Sequence, residues 1–211
     1  MTDAADDGHL RILAGGGESA TTVRRSRFLG HAAPVHDGRG GLSAFVEALR
    51  ARHRDASHVV YAWRGRDGAS RSSDDGEPAG TGGRPLAAVL ERAGLVDSAV
   101  AVARVFGGVL LGAAGLGRAY GEAAALAVAA APVAVLRPYV AVEAACAYAD
   151  QPAVEAVLRG RLVDPTRVFG PAGVELRGEV AAEALDALAQ AVAAASAGRA
   201  VLGALGDPHW R

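Results

Sequence analysis

The chain has 211 residues, 51% hydrophobic and 21% charged, with a formal net charge of −1, the balance of a globular protein long enough for one large or two small cores. All 22 basic residues are arginine and asparagine is absent, which excludes a Schiff-base lysine, a P-loop lysine and a Cys-His-Asn triad. No apolar run free of Gly, Pro and charge reaches membrane-spanning length, and the acidic opening M-T-D-A-A-D-D lacks the basic start of a secretory signal, so the cytoplasm is the expected compartment.

In chain order, residues 1–19 read as a loose Asp-, Gly- and Ala-rich tail around H-L-R-I-L, able to add a short edge strand. Thr21 to Pro34 is a strand ending at a proline. Gly40-Gly41 breaks the chain, and Leu42, Phe45, Val46 and Leu49 then recur at helical spacing, with arginines toward the far end where cations suit the helix dipole. His58 to Trp63, H-V-V-Y-A-W, suits a central strand, with Tyr61 and Trp63 as core. Gly65 to Gly83 is a polar loop, longer than most connections in compact domains, and Pro85 opens a helix that Gly94 stops.

Ser98 to Phe106 is the clearest strand, free of interior Gly and Pro. Five glycines between Gly107 and Gly117 follow, and then an alanine-dense helix. After Pro132 the pattern restarts. Val133 to Val142 is a strand, Gln151 to Arg159 a helix, and Leu162 to Phe169 and Gly173 to Val180 a hairpin around G-P-A-G with one wet face. A helix carrying Leu185, Leu188 and Val192 and a strand from Arg199 to Leu205 complete a ferredoxin-like β-α-β-β-α-β order. Domains are therefore expected at 20–132 and 133–211. The first section, residues 19–135, holds 14 Arg against 10 Asp plus Glu, a mild basic bias that permits phosphate contacts.

The chemistry-bearing stretch is Ser72 to Gly121. Asp74, Asp75 and Glu77 could hold a hard cation or supply a general base, though acidic turn residues are more often simply solvated. Gly80-Thr81-Gly82-Gly83 ahead of Pro85, and Gly115-Leu116-Gly117-Arg118 ahead of the alanine helix, could each turn backbone N–H groups toward an anion. Close packing of helix on sheet is the equal alternative for the second loop. G-x-G-x-x-x-G is one residue too long for the dinucleotide fingerprint. Arg84, Arg104 and Arg118 are natural phosphate partners. His31, His36, His53 and His58 lack zinc-ligand spacing, Ser72 and Ser73 lack a hydrolase elbow, and Cys146 reads as core. Neither a metal nor a cofactor is implied.

The run S-D-D-G-E-P-A-G-T-G-G-R-P together with R-V-F-G-G-V-L-L-G-A-A-G-L-G-R-A-Y-G closely resembles the YigZ/Impact family, and Ser26-Arg27-Phe28 and Ala62-Trp63 match as well. The family signature usually places two aromatics after the arginine, where this chain has Val105 and Phe106 after Arg104. The resemblance implies an α+β chain of two domains. The first is an α/β sandwich like domain 2 of ribosomal protein S5 and domain IV of elongation factor G; the second is ferredoxin-like, as in its domain V. Relatives with those folds bind RNA or the ribosome. Eukaryotic Impact proteins regulate translation by competing for the activator of a starvation-responsive kinase and carry an additional N-terminal recruitment domain that is not matched here, so that role is not carried over.

The expected function is a non-enzymatic, translation-associated binding protein that meets RNA, the ribosome or a phosphorylated ligand. Its site residues would be Arg27, Gly80, Thr81, Gly82, Arg84, Arg104, Phe106, Gly107, Gly108, Gly115, Gly117, Arg118 and Tyr120. The alternatives are a hydrolase of a phosphorylated small molecule using Asp74, Asp75 or Glu77, and a protein-interaction module. A monomer is slightly favoured.

Overall fold

The computed structural model describes residues 8–211, so residues 1–7 of the expected N-terminal tail lie outside the described residues. The chain divides into two compact units, one spanning Leu10–Val135 and the other containing Leu136–Arg211.

The first unit runs β1 (Leu10–Leu13), β2 (Gly17–Val23), β3 (Ser26–Pro34), α1 (Gly40–Arg52), β4 (His58–Arg64), β5 (Ser70–Ser73), α2 (Gly83–Arg92), β6 (Ser98–Val105), α3 (Gly112–Ala130) and β7 (Val133–Leu136). Five strands form one sheet in the order β2-β3-β6-β4-β5, every neighbouring pair antiparallel. β6 is central because its run of Val and Ala is buried along almost its whole length, with helices on both faces. Alternation sorts the sides. Val100 and Val102 pack with Phe28, Val60 and Ala62 under α2 and α3. Ala99, Ala101 and Ala103 pack with Leu29, Val59 and Trp63 under Leu42, Val46 and Leu49 of α1. The aromatic Trp63 is core, with its Nε1–H donating to the Val35 carbonyl.

Several boundaries differ from those expected. Thr21 to Pro34 is not one strand but the second half of β2 and all of β3, joined by a two-residue turn at Arg24 and Arg25. Both turn residues have positive φ, 44° and 70°, the mark of a type I′ hairpin, which ordinarily selects Asn and Gly. The short edge strand expected around H-L-R-I-L is present as Leu10–Leu13, which pairs with β7, and Leu13 is fully buried. Within the expected 65–83 loop, Ser70–Ser73 adds an edge strand to β4. The alanine helix starts earlier than expected, at Gly112, so Gly115 and Gly117 are helical residues and not a preceding loop.

α3 lies close on β3. A Cβ at Gly30 would fall 2.5 Å from the Ala123 carbonyl oxygen, so only glycine permits this approach.

The second unit comprises β8 (Pro138–Cys146), α4 (Gln151–Leu158), β9 (Val163–Gly170), β10 (Gly173–Ala181), α5 (Leu185–Ala195), β11 (Val201–Ala204) and the short β12 (His209–Trp210). Its sheet order is β11-β8-β10-β9, antiparallel throughout. Val140, Val142 and Ala144 pack with Val174 and Leu176 against Val154, Leu158, Leu188 and Val192 of the two helices. Cys146 is buried there as a free thiol. Among the described residues no helix is long and apolar enough to cross a membrane.

Candidate functional site

The three clustered carboxylates of the β5–α2 loop face in three directions, and each is taken by a different group of the fold. Asp74 accepts from the backbone N–H groups of Gly80, Gly82 and Gly83, all at 2.8 Å. The glycine-rich loop and the start of α2 thus close on a carboxylate of their own chain, in the place where the sequence suggested a phosphate. Burial pushes the Asp74 carboxyl up, and these three N–H bonds outweigh that and hold it below the ordinary carboxylate value. Thr81 is buried, its hydroxyl donating to the Pro78 carbonyl.

Asp75, with φ of 46°, staples the loop to the sheet. Its carboxylate accepts from the Val59 N–H at 2.7 Å and from Arg50 at 2.6 Å. Its carbonyl faces Nδ1 of His58 at 2.7 Å.

Glu77 turns inward. Its Oε1 accepts from Arg104 Nη1 at 2.6 Å and from the Tyr120 hydroxyl at 2.7 Å, in a pocket where all three side chains are buried. Burial, and then the bond to Glu77, push the Tyr120 phenol far above its ordinary value, so it stays a donor. The register explains why these groups meet. Arg104 on β6 stands opposite Phe28 of β3 on one side and His58 of β4 on the other. Phe28 packs edge-to-face on Tyr120, with centroids 5.1 Å apart. The Arg104 guanidinium carbon lies 5.6 Å from the Phe28 centroid and 5.2 Å from that of Phe106.

Phe106 is 45% exposed, an aromatic face resting on a guanidinium whose charge is already matched by Glu77. Of the two positions after the arginine, Phe106 is therefore the one that stacks, and Val105 is not needed for it. Beyond Phe106 a cavity of about 390 Å³ opens, walled by Pro78, Leu110, Leu111 and Leu116 with His58 at its edge. The first turn of α3 borders it, and no side chain caps that turn. Gly107 anchors this corner to the β2–β3 hairpin: its N–H donates to the Ser26 hydroxyl, and a Cβ there would sit 2.1 Å from the Arg25 carbonyl carbon. Gly108, with φ of 81°, completes the turn.

The structure thus brings together Glu77, Arg104, Phe106, Gly107, Gly108 and Tyr120. Arg27 is exposed at the start of β3, paired in register with Val105. Arg84 and Arg118 are exposed on α2 and α3 and do not line the cavity. Gly117 and Gly121 face Pro85 of α2, so the packing alternative describes them better than anion capture. Arg104 is a buried, paired support and not an open phosphate ligand. In the sequence, His58 and Phe28 have no place in the site, and the Arg24-Arg25 turn is hidden inside an expected strand. Cross-strand alternation from Arg104 is the signal that reaches the first two.

The model of the Impact N-terminal domain matches residues 24–128, which contain every group just described. A Thermus thermophilus protein, an IMPACT family member in the pol 5′ region, is 42% identical over 154 residues, 72% of this chain and 82% of that protein. The chain belongs to the IMPACT family. The IMPACT family members YigZ of Escherichia coli and YvyE of Bacillus subtilis are 45% and 37% identical over 103 and 108 residues, about half of each protein. A crystal structure of a hypothetical protein, 30% identical, superposes with a TM-score of 0.62 over 94% of this chain and 98% of its own. The IMPACT family match thus bears on the whole site, and the structural match extends over both units.

Proposed function

We propose that this IMPACT family chain is a non-enzymatic, translation-associated protein that binds single-stranded RNA at the corner formed by Phe106, Gly107 and the Arg24-Arg25 hairpin. The observation that carries the reading is the half-exposed Phe106 ring held on the neutralised Arg104, with cations beside it that form no ion pair among the described residues. A fixed aromatic face beside free positive charge is what sequence-tolerant binding of a single strand uses. Arg24, Arg25 and Arg27 are exposed and supply that charge. A resemblance to domain 2 of ribosomal protein S5, followed by a ferredoxin-like domain as in elongation factor G, supports ribosomal RNA as the source of the strand. A hydrolase built on Asp74, Asp75 and Glu77 has less support, because each of those carboxylates already serves an N–H or a guanidinium of the fold.

The test is fluorescence anisotropy with a short labelled single-stranded RNA between about 50 and 200 mM salt. The reading expects affinity to fall steeply with salt, and expects the slope to shrink by about 0.7 for each arginine neutralised in Arg24→Ala and Arg25→Ala. Absence of binding at the lowest salt, or slopes that those substitutions leave alone, contradicts it.

A further inference from the structure

The cavity beside Phe106 carries a hydrogen-bonding atom that no described residue meets. His58 Nδ1 lies 2.7 Å from the Asp75 carbonyl oxygen. A carbonyl only accepts, so that nitrogen bears the proton and Nε2 of the neutral ring keeps a lone pair. Nε2 lies 3.9 Å from Glu77 Oε1, another acceptor and beyond hydrogen-bond reach. Next to it, across the β4–β6 register, Arg104 is held by Glu77 with a side chain only 6% exposed, so it supports the hollow and offers it no accessible donor.

An acceptor that no described residue meets and an aromatic face around an apolar hollow select among ligand classes. An acyl chain would fill the hollow and leave His58 Nε2 unmet. A phosphodiester carries no proton for His58 Nε2 and would face Leu111 and Leu116. A nucleobase presents an N–H beside a carbonyl or ring nitrogen on one edge and a flat apolar face. We propose that this cavity receives one nucleobase of the bound strand, stacked against Phe106 and read at its edge by His58 Nε2. This rests on the RNA-binding reading above and names the subsite that distinguishes a base from bare backbone.

The experiment compares the full chain's affinity for oligouridylate, oligoadenylate and an abasic ribose-phosphate strand of equal length. Base-bearing strands should bind at least about fivefold more tightly than the abasic one, the effect of one stacked base. Leu111→Trp, which fills the hollow, should abolish that advantage while the salt-dependent backbone binding persists. His58→Asn keeps a donor for the Asp75 carbonyl and removes the Nε2 acceptor, so it should reduce discrimination between uridylate and adenylate. Thermal melting checks that each variant is folded; if His58→Asn is not, Leu111→Trp decides alone. Equal binding of abasic and base-bearing strands by the unaltered protein overturns the subsite and leaves backbone binding standing. No binding of any strand overturns both.

Discussion

Glu77 and Arg104 meet at 2.6 Å with side chains 3% and 6% exposed, so the charge beneath Phe106 is cancelled before any ligand arrives. A buried pair of this kind contributes little net stability against an apolar substitute, but removing one partner strands the other. Glu77→Gln should therefore destabilise the chain by about 3–5 kcal/mol in urea unfolding. The double variant Glu77→Gln with Arg104→Met should recover part of that loss. Strictly additive losses would show that the two side chains do not act as a unit.

Asp74 occupies the start of α2, and its removal should be felt through the backbone. Asp74→Ala leaves the N–H groups of Gly80, Gly82 and Gly83 without their acceptor, a cost of about 1–2 kcal/mol. Its carboxyl is held below the ordinary value, so this stabilisation is present above the unfolded pKa of about 3.9 and is lost as pH falls through the lower folded value. Wild type and variant stabilities should converge there; a constant difference down to strongly acid pH would contradict the assignment.

A second pH dependence comes from the face under α1. His31 and His53 place their Nε2 atoms 2.8 Å apart, so one ring must donate and the other accept. Burial lowers both, against the pull of Glu18 on His31 and of Asp55 and Glu18 on His53. The unfolded chain therefore binds protons first, and stability should fall as pH drops below about 6.5. His53→Gln should flatten that slope in thermal melts across weakly acid pH; an unchanged slope would remove the pair from the account.

The Arg24-Arg25 turn separates stability from function. Both residues sit at positive φ, which costs a bulky side chain about 1–2 kcal/mol per residue. Arg24→Asn with Arg25→Gly supplies the residues that a type I′ turn prefers, and should raise the melting temperature while weakening RNA binding. A variant that is more stable and binds unchanged would mean that the two cations play no part.

Much of the fold was legible in local pattern. β6 announced itself by an uninterrupted apolar run, and α1 and α2 by their spacing of Leu and Val. What pattern does not carry is which partner a polar group finds across the fold. Asp74 reads as a solvated turn residue because its acceptors' partners are backbone groups six to nine residues ahead. Glu77, Arg104 and Tyr120 are far apart in sequence and meet only where the β5–α2 loop and α3 pack against the end of β6. Glycine is equally ambiguous: Gly107 is a close contact with the hairpin, whereas Gly115 and Gly117 are helix residues that no turn requires. The hairpin was missed because Arg-Arg is a sequence that β-turn preferences argue against.

The most direct measurement of the central claim is ultraviolet crosslinking of the full chain to single-stranded RNA, followed by mass-spectrometric mapping of the modified peptide. Binding at the Phe106 corner predicts that the crosslinked nucleotide maps to the Arg104–Leu111 segment, and that Phe106→Ala removes it. Crosslinks confined to Leu136–Arg211, or an Arg104–Leu111 crosslink untouched by Phe106→Ala, would contradict it.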